Sequence, residues 1–371
     1  MIRFRRGNWH WRFVSEAAAR EAGDPLDTAG AEVVQQVRES RVERSVFRRG
    51  GFYFKRETLL GSSLADRLSM RFFPRTAAEF DSIMLLKRAG IPVVEPVGCG
   101  SDGNSAVLIT RAVEGTVTVR EQLRRFEAAG EALPDEFLRG WSEVAAALFR
   151  RWIYFPDFHR SNILYCAAEG TFTVVDPLGA KYSILTKLNW RMKMIRRQYG
   201  DSFGQLPKST VLRMLAVMLP RRNPEKVYRR LLRHTAAYIR RHSLRKRRRL
   251  EHFRRGEYTR IVDGVECRLD AAGEPLTREG AEALSLAPER AAQLWERDWL
   301  FTLFHLPTLR IVGRDVESGT LYRECAGAVE VAEAERRDLL ERVELAGFDP
   351  REFVCRRDCR GRAVLEDLGP K

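Results

Sequence analysis

Strand-like alternation and helix-like periodicity follow one another along the chain in a fixed order. From Glu32 the pattern predicts strands at Val33-Val34-Gln35-Gln36-Val37 and at Val42-Glu43-Arg44-Ser45-Val46-Phe47. Gly50-Gly51 is a tight-turn signal, and Phe52-Tyr53-Phe54-Lys55-Arg56 reads as the third strand. Residues 74–89 predict a helix, with Ala78, Ile83, Leu85, Leu86 and Ala89 on overlapping faces and Gly90 as its stop. Extended stretches follow at 92–98 and 105–111, the second a buried strand running into the connector Ala112-Val113-Glu114-Gly115. Residues 134–152 form a strongly amphipathic pattern with Phe137, Trp141, Val144, Ala145 and Leu148 at helical spacing. Two short apolar strands come next, Ile163-Leu164-Tyr165 and Phe172-Thr173-Val174-Val175, joined by the turn Ala167-Ala168-Glu169-Gly170.

Residues 181–219 and 227–249 read as helical. From about Asp270 the pattern restarts, with a linker or hairpin at 270–275 and a helix at 290–304. Strands at 308–312 and 320–324, a charged helix at 331–345 and a final hairpin at 353–365 complete it. The chain opens with mixed aromatics and a short Ala-rich helix at 16–21 that ends near Gly23-Asp24-Pro25, and nothing in the pattern assigns this stretch a role. The expected class is α+β. The expected divisions are an N-terminal extension (1–31), a first lobe (32–113), a second lobe carrying a basic helix (114–260) and a small α/β appendage (270–371).

With 371 residues the chain can bury a large core in two or three units. No run approaches the roughly 20 apolar residues of a membrane span. Met1-Ile2-Arg3-Phe4-Arg5-Arg6 is basic, but no apolar signal region follows, so a cytoplasmic protein is expected. The six cysteines (Cys99, Cys166, Cys267, Cys325, Cys355, Cys359) lack paired metal-ligand spacing and read as free thiols. Charge is more informative. Residues 221–260 hold 16 Lys and Arg against 3 Asp and Glu, which leaves 49 and 47 elsewhere, so +13 of the net +15 belongs to one segment.

The chemistry gathers around Asp157-Phe158-His159-Arg160-Ser161-Asn162 and Val174-Val175-Asp176-Pro177-Leu178-Gly179. Each acidic group stands at the mouth of an apolar strand, and the hairpin between the strands brings Asp157, Asn162 and Asp176 to one end of a small sheet. Asp-x-x-x-x-Asn alone is common in capped loops. Followed by Val-Val-Asp-x-x-Gly, it matches what phosphoryl transfer needs: a carboxylate to take a hydroxyl proton, and an Asn and a second Asp to hold Mg²⁺ across phosphates. Lys55, on a strand among aromatics, is placed to aim an ammonium at those phosphates. Glu79, in the second turn of the 74–89 helix, is its candidate partner, with Asp81 as the alternative.

In this order the residues resemble the lipopolysaccharide core kinase family, the heptose and 3-deoxy-octulosonic-acid kinases, distant relatives of protein kinases. The likeness runs from Val33 to Asp176. It includes Arg38-Glu39-Ser40-Arg41, Tyr53-Phe54-Lys55, Ala78-Glu79-Phe80, Leu86-Lys87-Arg88-Ala89-Gly90-Ile91-Pro92-Val93, Glu95-Pro96-Val97-Gly98, the Asp157 loop and Val175-Asp176. The resemblance implies a two-lobed protein-kinase-like fold, ATP and Mg²⁺ as cofactors, and a sugar hydroxyl of the lipopolysaccharide core as acceptor. It makes Lys55 and Glu79 an ion pair, Asp157 the base, and Asn162 and Asp176 the metal ligands.

The sequence departs from protein kinases in three places. Arg38-Glu39-Ser40-Arg41 replaces a glycine-rich loop, so side chains such as Arg38 and Arg41 would contact phosphate. Phe155-Pro156 stands where His-Arg is usual, and no Ala-Pro-Glu follows Asp176. A nucleotide-binding pseudokinase scaffold, or a protein or small-molecule kinase of the same fold, are the alternative readings. The basic stretch between Arg240 and Arg255 suits an anionic membrane surface. Nucleic acid is the weaker expectation, because aromatics for base stacking are sparse there (Tyr238, Phe253, Tyr258).

Overall fold

The structure, a computed structural model, describes residues 1–38, 41–61, 63–183, 188–203, 206, 208–252, 259–269, 274–304, 306–327, 330–346, 348–358 and 361–368. The chain divides into two compact units, one of Met1–Gln198 with Val217–Leu219, the other of Tyr199–Ala216 with Pro220–Lys371.

The first unit opens with β1 (Ile2–Arg6), β2 (Trp9–Phe13) and α1 (Glu16–Ala22), followed by β3 (Glu32–Arg38), β4 (Val42–Arg49) and β5 (Phe52–Leu59). Next come α2 (Leu64–Phe72), α3 (Arg75–Arg88), β6 (Pro96–Ser101) and β7 (Ser105–Arg111). The seven strands form one antiparallel sheet in the order β1-β2-β6-β7-β5-β4-β3. Between β4 and β5, Gly50 and Gly51 both take positive φ (53° and 79°), as a two-residue hairpin turn requires. Alternate residues of β7 feed two cores. Val107 and Ile109 join Trp11, Phe13, Phe52, Phe54 and Val97 on the face covered by α1. Leu108 joins Phe80, Ile83, Val94 and Cys99 on the face covered by α3.

The N-terminal stretch, to which sequence assigned no role, completes this sheet: β2 pairs with β6, Phe13 opposite Gly98 and Trp11 opposite Gly100. A Cβ at either glycine would run into the facing ring, so both glycines are needed for the aromatics to lie against the strand. Two helices were not expected from the pattern, α2 and α4 (Val119–Ala129).

The rest of the unit holds β8 (Thr116–Thr118), α4, α5 (Asp135–Arg150), β9 (Ile153–Tyr154), β10 (Ile163–Cys166), β11 (Thr171–Val174) and β12 (Lys181–Tyr182). The expected apolar face of α5 is buried through Phe137, Trp141, Val144, Ala145 and Leu148. The helical stretch expected over 181–219 forms as two helices, α6 (Leu188–Phe203) and α7 (Lys208–Met218), with β12 in place of helix at its start. The sequence between the two helices carries Gly204 and Pro207, both poor residues for a helix interior.

In the second unit α8 (Pro224–His252) buries Val227, Tyr228, Leu231 and Ala236. A five-stranded sheet follows in the order β13 (Thr259–Val262), β14 (Val265–Arg268), β16 (Ile311–Asp315), β17 (Thr320–Glu324), β15 (Ala281–Ser285). Next to it are α9 (Pro288–Phe304), α10 (Glu333–Ala346) and the strands β18 (Ala326–Gly327), β19 (Phe353–Asp358) and β20 (Ala363–Asp367). The helix, strand, helix and hairpin expected beyond 290 all form. A buried pair, Arg268 Nη2 to Asp298 Oδ2 at 2.7 Å, ties β14 to α9, and the guanidinium lies 3.9 Å from the centre of the Trp299 ring. The side chains of 239–252 and all of 253–258 lie outside the described residues, and so does the expected cationic patch. Among the described residues no helix is long and apolar enough to cross a membrane, and Cys99, Cys166, Cys267, Cys325 and Cys355 are free.

Candidate active site

Lys55 lies opposite Leu108 on the neighbouring strand β7, so its side chain leaves the sheet on the face covered by α3. There it meets Glu79, which is only 2% exposed, in the second turn of α3. Lys55 Nζ donates to Glu79 Oε2 at 2.9 Å and Oε1 at 3.1 Å, and to Asp176 Oδ1 at 3.1 Å. Burial pushes the Lys55 ammonium's pKa down, but the facing carboxylates of Glu79 and Asp176 more than reverse this and hold it above its ordinary value. Burial acts in the opposite sense on Glu79, raising its carboxyl to about 7 although Lys55 opposes the shift. Asp81, the alternative partner, is engaged elsewhere: Arg12 Nη2 of β2 reaches its Oδ1 at 3.0 Å.

Asp176 is separated by Val175 from the end of β11 at Val174 and has φ of 49°, a conformation that Asp tolerates better than most residues. The strand before it is stitched to the segment following α3: Val174 N–H donates to Pro92 O (2.9 Å) and Val94 N–H to Val174 O (3.0 Å). These bonds fix where the helix bearing Glu79 stands relative to the strand that delivers Asp176.

The Asp157 loop is built on two wholly buried rings, Phe155 and Phe158, whose centroids are 5.7 Å apart. They anchor the chain on both sides and leave the Asp157 side chain 54% exposed. Phe155, at the position where protein kinases carry His, is therefore part of the core. Asn162 is buried and its Nδ2 donates to Asp157 O at 3.0 Å, which leaves its Oδ1 as an oxygen donor. Val175 N–H donates to Asn162 O (2.9 Å), and β10 pairs with β11 with Ile163 opposite Val174, so Asn162 and Asp176 emerge at the same end of this hairpin. Gly179, at φ of 76°, approaches Pro156 so closely that a Cβ would touch its ring, and β12 pairs with β9. The two loops thus run side by side.

Two residues beside Asp157 had not been singled out. His159 Nε2 lies 3.5 Å from Asp157 Oδ2, and Arg197 Nη1 lies 3.4 Å from Asp157 Oδ1 while also donating to Pro156 O. His159 stands inside the motif and was open to notice. Arg197 comes from α6, and no local spacing announces it. Arg38 and Arg41 stand exposed at the β3–β4 turn, outside the Lys55 cluster, with Glu39 and Ser40 between them beyond the described residues.

Asn162 and Asp176 offer hard oxygen donors, which suit Mg²⁺. Among the described residues no group of three or more His, Cys, Asp or Glu side chains forms an all-protein metal cage. A Mg²⁺ shared with phosphates needs only one or two protein ligands, so the donor set fits that ion.

Residues 28–177 match the family model described as Lipopolysaccharide kinase (Kdo/WaaP) family. A solved structure described as WaaP in complex with acyl carrier protein is similar at 19% identity, covering 63% of this chain and 98% of that chain, with a TM-score of 0.44. No curated protein matches. The resemblance to lipopolysaccharide core kinases is borne out over the matched segment, and with it the class of enzyme, a phosphotransferase acting on a sugar hydroxyl.

Proposed function

From the match of residues 28–177 to the lipopolysaccharide kinase family, we propose that this chain is an ATP-dependent kinase. Its acceptor is a sugar hydroxyl of the lipopolysaccharide inner core, and it works at the cytoplasmic face of the membrane. The observation that carries the reading is Lys55 held between buried Glu79 and exposed Asp176, at the end of the hairpin that also presents Asn162.

Each residue then has a role. Glu79 fixes the ammonium of Lys55, which neutralises phosphate charge. Asn162 and Asp176 would hold Mg²⁺, which supplies charge neutralisation across the phosphates when bound. Asp157 takes the proton of the acceptor hydroxyl. Arg197 and His159 hold its carboxylate in place, and the buried rings of Phe155 and Phe158 hold its backbone. Arg38 and Arg41, which stand outside the Lys55 cluster, would have to reach the phosphates from the β3–β4 turn to take the place of a glycine-rich loop.

Two lobes, residues 32–113 and 114–260, would then bind the nucleotide between them. The basic sequence from Arg240 to Arg255 supplies the charge that attracts anionic lipid in this reading. Label transfer from the γ-phosphate of ATP to purified core lipopolysaccharide, free sugars and a generic protein tests the proposal. Transfer to core lipopolysaccharide alone is the expected result. Transfer to protein, or ATP binding without transfer to any acceptor, overturns it.

A further inference from the structure

Helix α2 is built inside out. Leu64, Leu68 and Phe72 recur every fourth residue and so form one stripe along it, and Phe73, the residue at which the helix ends, is exposed as well. They are 75%, 46%, 63% and 83% exposed. The opposite side of the helix is the one that is pinned: Met70 is buried and its carbonyl accepts Ser101 Oγ at 3.0 Å.

A helix whose one buried side chain among the described residues is Met70 would ordinarily turn polar residues to water. This one presents two leucines and two phenylalanines, a larger apolar group than scattered surface residues make. The charges carried by α2 and the residue that opens α3 are mostly basic: Arg67, Arg71 and Arg75 are exposed, and the one acid, Asp66, is half-buried in the capping box with Ser63. Apolar residues beside arginines are the composition of a helix that lies in a lipid interface, its apolar face among acyl chains and its basic groups at the phosphates.

We propose that α2 docks the protein on an anionic bilayer, with Leu64, Leu68, Phe72 and Phe73 inserted and Arg67, Arg71 and Arg75 at the headgroups. A second copy of this chain is the poorer occupant. A two-fold contact would set the same patch against itself and bring arginine to arginine. The placement has a consequence for the site, because α2 joins the strand that carries Lys55 to the helix that carries Glu79. Docking through α2 therefore holds that part of the site next to the lipid. The inference goes beyond the proposed function: it depends neither on the acceptor sugar nor on the basic stretch from Arg240 to Arg255.

Flotation of the full chain with phosphatidylglycerol–phosphatidylcholine vesicles, and with phosphatidylcholine alone, tests it. The wild type is expected to float with the mixed vesicles. Leu68→Ser/Phe72→Ser/Phe73→Ser is expected to lose about tenfold or more in partitioning. Arg67→Gln/Arg71→Gln/Arg75→Gln is expected to lose the preference for the anionic mixture. Because the altered side chains are exposed, unchanged thermal unfolding is expected and separates lost docking from lost fold. A serine variant that floats like the wild type overturns the proposal, including the case where Gln at Arg245, Lys246, Arg247, Arg248 and Arg249 abolishes flotation and so makes that stretch the anchor. A dimer in sedimentation that the serine variant loses, with no flotation of the wild type, also overturns it and assigns the patch to self-association. Label transfer to a soluble acceptor is a separate readout, so failure of docking and failure of the kinase proposal are distinguishable.

Discussion

Replacing Lys55 with Met takes the ammonium away from Glu79 and leaves a carboxyl that is 2% exposed. In the wild type, burial raises that carboxyl from its ordinary 4.5 to about 7 while Lys55 opposes the shift. Without Lys55 the opposition is gone, so the folded pKa rises past about 7. A carboxyl whose folded pKa lies above its unfolded value contributes stability that is present below the unfolded value. That contribution is lost as pH rises through the folded value. The wild type therefore loses it between 4.5 and about 7, and the variant goes on losing above that range.

One pH unit of this extra titration is worth up to about 1.4 kcal/mol. The gap between the two proteins should widen by that much from about pH 7 to about pH 8, toward the roughly 3–5 kcal/mol of a buried pair broken on one side. Urea unfolding followed by tryptophan fluorescence at about pH 6, 7 and 8 reads it. Lys55→Met/Glu79→Gln should remove the widening, since no titrating carboxyl remains on α3 at that position. A gap that stays constant across this range, or one that widens equally in the double variant, would refute the reasoning.

Two further substitutions separate the roles at the site. Asp157→Asn should lower the rate of label transfer by about 10²- to 10⁴-fold while nucleotide affinity, read by a fluorescent analogue, stays near wild type. Asp176→Ala should weaken Mg²⁺-dependent nucleotide binding itself, visible in the same titration as a rise in Kd that added Mg²⁺ partly reverses.

The sheet around Lys55 was legible because β4 and β5 alternate and Gly50-Gly51 turns them. Lys55 itself was found by its place among aromatics on that strand. The choice between Glu79 and Asp81 was not legible. Two positions apart on a helix they point to different sides, and no local pattern says which side faces β5. Arg12, distant in sequence, decides it by engaging Asp81. The role of Trp11 and Phe13 depended on Gly98 and Gly100, glycines that look unremarkable until a strand is laid against them. Helix α2 escaped notice because its apolar spacing points to water, so it marks no core face. Arg197 escaped because a contact between α6 and the Asp157 loop leaves no trace in spacing. The Asp157–Asn162 and Val175–Asp176 pieces were readable because their chemistry is local and the strands that carry them are short and apolar.

The central claim is that the cluster of Lys55, Glu79, Asp157, Asn162 and Asp176 moves the γ-phosphate of ATP to a sugar of lipopolysaccharide core. Transfer of labelled phosphate to purified core lipopolysaccharide, measured for the wild type and Asp157→Asn side by side, tests it most directly. The account predicts Mg²⁺-dependent labelling of a core sugar by the wild type and a loss of about 10²-fold or more in the variant. Equal labelling by both proteins, or label that appears only on protein, would contradict it.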